Sequence, residues 1–140
     1  MREIKYIVLH CTATDQDAKT ENIVKYWKNN LGWKNPGYHR LIEPDGTIQD
    51  LHPIDKVSNG VKGYNSNALN ISYIGVKDGD DRTPEQIKSM EKLVISYARR
   101  FPEASILGHK DFPKVTKRCP NFEVEDFLEE IGLEDMFKKF

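Results

Sequence analysis

Histidine and cysteine are the side chains best suited to hold a metal ion, and this chain has few of them. The histidines are His10, His39, His52 and His109, and the cysteines are Cys11 and Cys119. His10 and His109 each close a short apolar run, where α/β folds concentrate their chemistry. Cys119 follows His109 by ten residues, across a loop rich in Pro, Lys and Asp. Two imidazoles and one thiolate suit Zn2+ and leave its fourth position open for water, as catalytic zinc requires. A closed structural site needs a fourth protein ligand, and no C-x-x-C pair or zinc-finger spacing supplies one. A plainer reading stays open for the same residues: a strand-end histidine held by hydrogen bonds, and a cysteine packed as a small hydrophobe. Cys11 directly follows His10, so on a strand it points to the opposite face and is expected in the core.

Bringing such distant residues together takes a sheet. Residues 4–10 (IKYIVLH) are apolar on both alternating faces, which predicts a central strand covered on both sides. From Thr20 the spacing turns helical through Ile23, Val24, Trp27 and Leu31, closed by Gly32. Residues 38–43 and 47–51 read as two strands of a hairpin around Pro44-Asp45-Gly46. Residues 58–70, rich in Ser, Asn and Gly, read as an ordered loop, and 71–76 as a buried strand. Thr83-Pro84-Glu85-Gln86 has the form of a capping box with proline at the first helical position. Behind it Ile87, Met90, Val94, Tyr97, Ala98 and Phe101 hold one helical face to about residue 102. A short strand follows at 104–107, and 124–140 reads as one or two amphipathic helices. Strands alternating with helices predict one α/β domain over residues 1–140, a mixed central β-sheet flanked by α-helices.

Composition narrows the function. At 140 residues, with 38% hydrophobic and 31% charged, the chain suits one globular domain. Lys plus Arg number 21 against 22 Asp plus Glu. That balance argues against a nucleic-acid partner and against a polybasic membrane anchor. No apolar run approaches the roughly 20 residues that span a bilayer, and the first residues carry no signal-peptide pattern. The expected product is a cytoplasmic monomer without integral membrane association, and in that compartment two cysteines are not a disulfide scaffold.

Six segments in order carry a resemblance: Val8-Leu9-His10-Cys11-Thr12-Ala13-Thr14, Gly37-Tyr38-His39, Asp45-Gly46-Thr47, Lys62-Gly63-Tyr64-Asn65-Ser66-Asn67, Gly108-His109-Lys110-Asp111 and Lys117-Arg118-Cys119-Pro120-Asn121-Phe122. Together they resemble the zinc-dependent N-acetylmuramoyl-L-alanine amidases, the family of phage lysozyme-type amidases and peptidoglycan recognition proteins. The likeness covers residues 4 to about 128. It implies one zinc ion per chain on His10, His109 and Cys119, and catalytic roles for Tyr38 and Lys117. The implied reaction is hydrolysis, by a zinc-activated water, of the amide between the lactyl group of N-acetylmuramic acid and L-alanine. Peptidoglycan or muropeptide is thus the expected substrate. Tyr38 offers a phenolic O–H and Lys117 an ammonium to the oxyanion that forms. Asn65 and Asn67, in the Asn-rich loop, and Thr12 are the substrate-binding candidates.

Two departures fall beside the expected groove. Ser58-Asn59-Gly60-Val61 stands where many relatives carry a histidine, and Val76 follows Gly75 where a second glycine is common. A non-catalytic muropeptide-binding module is the competing function. Recognition-only relatives typically lose the cysteine ligand, whereas Cys119 is present here. A chain without an export signal would act on the wall after release through a phage pore, or on recycled fragments inside the cell.

Overall fold

The computed structural model describes residues 1–76 and 79–140. Its five strands are β1 (Tyr6–Cys11), β2 (Arg40–Ile42), β3 (Ile48–Asp50), β4 (Ala68–Tyr73) and β5 (Ser105–Gly108). The helices are α1 (Thr20–Asn29), α2 (Pro84–Arg100) and α3 (Val124–Glu130), with 3₁₀ turns at Asn65–Asn67, His109–Asp111 and Glu134–Met136. The strands form one mixed sheet in the order β3-β2-β4-β1-β5. β1 runs parallel to both β4 and β5, β2 runs parallel to β4, and β3 is antiparallel to β2. The expected α/β architecture is the one observed.

Period-two alternation explains how β1 and β4 each serve two layers. Ile7, Leu9 and Cys11 of β1, with Leu69, Ile71 and Tyr73 of β4, face the main core, where Met90 and Val94 of α2 and Phe127 and Leu128 of α3 cover them. Val8 and Ala68 face the other side, against Val61, Leu107 and Phe112. His10, Asn70 and Ser72 share that second face by parity, and all three are buried. Cys11 thus lies on the core side, at 5% exposure, and His10 on the opposite side.

α2 starts where the capping box predicts. Thr83 Oγ1 accepts from the Gln86 backbone N–H at 3.0 Å, and Gln86 Oε1 accepts from the Thr83 N–H at 3.0 Å. Boundaries differ from the sequence reading, and β4 stops at Tyr73 instead of running to residue 76. Residues 68–70 belong to β4 rather than to a loop, because parallel pairing with Tyr6, Ile7 and Val8 uses their backbone groups. Tyr38 and His39 precede β2 instead of opening it. The final stretch forms one helix and a 3₁₀ turn.

Candidate metal centre and active site

The site lies beyond the carboxyl ends of β1 and β5. His10 is the penultimate residue of β1, His109 comes directly after β5, and the pairing of Leu9 with Gly108 places the two strand ends side by side. Their imidazole centroids are 5.0 Å apart. Cys119 returns on the loop after the 3₁₀ turn, held by a 2.6 Å bond from the Lys110 N–H to its carbonyl. Its Sγ accepts from the Cys11 N–H at 3.2 Å and lies 4.0 Å from His10 Nδ1. One ligand atom from each of His10, His109 and Cys119 lies within 4.8 Å of the others. Zinc bonds of roughly 2.0–2.3 Å set tetrahedral ligand atoms about 3.5 Å apart, so the three are gathered near coordinating separation.

Electrostatics prepare the set for a cation. Burial, and after it the adjacent His109, hold His10 down to about 3. His109 is lowered as well, by burial and by the Lys117 charge. Both imidazoles are therefore neutral at pH 7, the form that donates a lone pair. Contact with the Cys11 thiol, together with burial, pushes the Cys119 thiol up. A bound divalent cation inverts that preference and takes the thiolate. The donor set thus fits zinc.

Tyr38 stands over this centre, its ring 5.1 Å from that of His10 and 5.4 Å, edge to face, from Trp27. Gly37 makes the approach possible: a Cβ there would sit 3.0 Å from the Trp27 ring. The Tyr38 hydroxyl donates to the Cys11 carbonyl at 3.2 Å. Removal from water, then the neighbouring Cys119, raise the phenol above its ordinary value, so it keeps its proton. Lys117 is exposed on the Cys119 loop. His10, His109, Cys119, Tyr38, Lys117 and Thr12 all line one cleft of about 180 Å3, which Trp27, Trp33 and Asn59 also border. Beside it, a hollow of about 470 Å3 shares Thr12, Trp27 and Tyr38 and is walled by Asn22, Ile23 and Tyr26 of α1.

The structure places two expected substrate contacts elsewhere. Asn65 and Asn67 form the 3₁₀ turn that enters β4, and β4 starts beside the amino end of β1, opposite the cleft. Asn65 Oδ1 accepts from the Val61 N–H at 2.6 Å, and Asn67 Nδ2 donates to the Glu3 carbonyl at 3.0 Å. Asn65 closes its own loop, as loop asparagines commonly do, and Asn67 ties the turn to the segment before β1. Asn59 and Gly60 are the residues of that loop that reach the cleft. Thr12 lies at the cleft, but its hydroxyl is engaged with Gly75, accepting from the N–H at 3.1 Å and 3.0 Å from the carbonyl.

Sequence reasoning passed over a buried polar chain behind His10. Asn70 Oδ1 is 2.8 Å from His10 Nε2, Asn70 Nδ2 donates to Ser58 Oγ at 2.8 Å, and Ser58 Oγ is 3.2 Å from His39 Nδ1. The available signal was the pattern Leu69-Asn70-Ile71-Ser72-Tyr73, polar residues alternating inside an apolar strand.

The chain is similar to known proteins in both sequence and fold. The family model described as N-acetylmuramoyl-L-alanine amidase matches residues 1–122. An endolysin of Klebsiella phage KP32 is 30% identical over 135 residues, spanning 91% of this chain and 87% of that protein. Among solved structures, the Ph2119 endolysin from a Thermus scotoductus bacteriophage superposes with a TM-score of 0.84 at 25% identity, covering 93% of this chain and 86% of that one. The N-acetylmuramoyl-L-alanine amidase LysC from Clostridium intestinale superposes with a TM-score of 0.82 at 27% identity, covering 94% and 87%. A family match over so much of the chain, met by a cleft whose walls come from the same segments, leads to one assignment: the chain belongs to the N-acetylmuramoyl-L-alanine amidase family.

Proposed function

We propose that this amidase cleaves the bond between the lactyl carbonyl of N-acetylmuramic acid and the amine of L-alanine, with one zinc ion held by His10, His109 and Cys119. The observation that carries this reading is the meeting of two neutral imidazoles and a thiol on the floor of a cleft whose wall holds a protonated phenol. A metal at such a site supplies a water acidic enough, with a pKa of about 7, to serve as hydroxide at neutral pH. The remaining work belongs to side chains of the chain. Addition to the lactyl carbonyl develops negative charge on its oxygen, which needs donors already in place. The Tyr38 O–H is kept protonated and rests on the Cys11 carbonyl, and it becomes one such donor by turning from that carbonyl to the oxyanion. Lys117, exposed on the cleft rim, brings a positive charge to the same oxygen. The adjoining hollow along α1, with Tyr26 and Ile23 on its wall, takes the part of the substrate that extends past Tyr38.

The likeness to phage endolysins supports a role in opening the wall from inside the host cell. Among the described residues no helix is long and apolar enough to cross a membrane. The test is mass spectrometry of a defined muropeptide incubated with the protein, with and without a zinc chelator. Release of a peptide beginning with L-alanine, leaving intact saccharide and abolished by the chelator, is the expected result. Intact muropeptide in the presence of zinc-loaded protein would replace this reading with that of a binding module.

A further inference from the structure

The polar chain behind His10 has a direction, and it ends on the proposed metal ligand. His10, Asn70, Ser58 and His39 are each at most 1% exposed, so no solvent competes for their hydrogen bonds. His39 Nδ1 accepts from the Asn70 N–H at 2.9 Å, which puts the ring proton on Nε2, where the Lys56 carbonyl accepts it at 2.7 Å. With His39 Nδ1 an acceptor, the Ser58 hydroxyl at 3.2 Å donates to the same lone pair as the Asn70 N–H, and Ser58 Oγ is left to accept from Asn70 Nδ2 at 2.8 Å. The Asn70 amide is thereby oriented with Oδ1 toward His10 Nε2 at 2.8 Å. An amide oxygen only accepts, so the His10 proton sits on Nε2 and the Nδ1 lone pair faces Cys119 Sγ, 4.0 Å away. Gly60 leaves the room this requires: a Cβ at that position would lie 2.2 Å from Asn70 Oδ1.

We propose that Asn70, admitted by Gly60 and oriented through Ser58 by His39, is the positioning residue that fixes His10 in the tautomer presenting Nδ1 to the metal. The inference rests on the zinc reading above for its consequence, though not for its geometry. An imidazole with no partner on Nε2 can take either tautomer and several ring orientations, and the fraction protonated on Nδ1 offers the wrong nitrogen. A ligand histidine held by a partner on its other nitrogen binds metal more tightly, and loss of such a partner typically costs roughly 10–100-fold in affinity.

The test combines nitrogen-15 NMR of labelled histidine in the metal-free full chain with zinc titration against a chromogenic chelator. In the unaltered protein, His10 should show a single tautomer protonated on Nε2. Asn70→Leu, similar in size and without an acceptor, should mix the tautomers and weaken zinc binding roughly 10–100-fold. Asn70→Asp keeps an acceptor oxygen and should restore both the tautomer and most of the affinity. Gly60→Ala provides a second route, because it displaces the amide while leaving every polar group of the chain in place, and should behave as Asn70→Leu does. An unchanged His10 tautomer and unchanged zinc affinity in either Asn70→Leu or Gly60→Ala, folded by circular dichroism, would overturn the proposal. Failure of the unaltered protein to bind zinc would instead remove the zinc reading, and the tautomer comparison would still decide the role of Asn70.

Discussion

Tyr38 and Cys119 both line the cleft, yet their substitutions separate two kinds of loss. Tyr38→Phe removes one O–H and leaves the ring packed between His10 and Trp27. On the proposed mechanism it should lower kcat by about 10²–10³, the scale of one oxyanion donor, with zinc content unchanged. Cys119→Ser weakens the ligand set itself and should lose both zinc and activity, which metal analysis by mass spectrometry reports directly. Activity retained in Tyr38→Phe would remove the phenol from the reaction. The Tyr38 environment shows where residue-level reading stops. A Gly-Tyr-His segment is visible in the sequence, whereas the Cys11 carbonyl and the Trp27 ring that hold the phenol come from 27 and 11 residues away.

At the scale of elements, Gln86 joins α2 to the sheet. It completes the capping box at Thr83, and its Nε2 donates to the carbonyls of Ile42, the last residue of β2, at 3.2 Å and of Ile74, just beyond β4, at 2.9 Å. The side chain is fully buried. Replacing it with leucine leaves the Ile74 carbonyl and the Thr83 N–H without partners, while the Ile42 carbonyl keeps only its bond from the Ile74 N–H, and should cost about 2–4 kcal/mol, most of it desolvation that is no longer repaid. Urea denaturation with an unchanged m-value and a lowered midpoint is the expected outcome, and a midpoint within error of the parent would refute the tie. The capping box is legible in Thr83-Pro84-Glu85-Gln86, because it depends on local spacing. The reach of Gln86 across to Ile42 and Ile74 is not, since it depends on which strands lie beneath the helix.

Over the whole molecule, two buried histidines set the acid limit of the metal-free fold. Burial holds His10 down to about 3 and His39 down to about 4, both from an ordinary 6.5. Below about pH 6.5 the unfolded chain takes up protons that the folded chain refuses, so stability falls as pH decreases. The loss runs from about pH 6.5 toward 4, at up to about 1.4 kcal/mol per pH unit for each histidine. Calorimetry of chelator-treated protein at constant ionic strength should show Tm constant near pH 7–8 and dropping between pH 6 and 4. A Tm independent of pH through that window would show that neither histidine is buried in its neutral form.

What depends on neighbours along the chain is legible without a fold: the alternating β1, the proline-led capping box of α2, the α/β class, and the presence of two histidines and a cysteine able to ligate zinc. What depends on strand order and register is not. Parallel pairing of β1 with β5 brings His10 to His109 across 99 residues of chain, with imidazole centroids 5.0 Å apart. The register of β4 against β1 sets Asn65 and Asn67 at the far end of the sheet, although their loop contributes Asn59 to the cleft. That register also turns Asn70, which reads as the last residue of a polar loop, into the buried partner of His10. Local spacing states which face a side chain takes within its own strand. Which strand lies alongside is settled by burial of the whole sheet between its two layers, and the partner of each site residue follows from that.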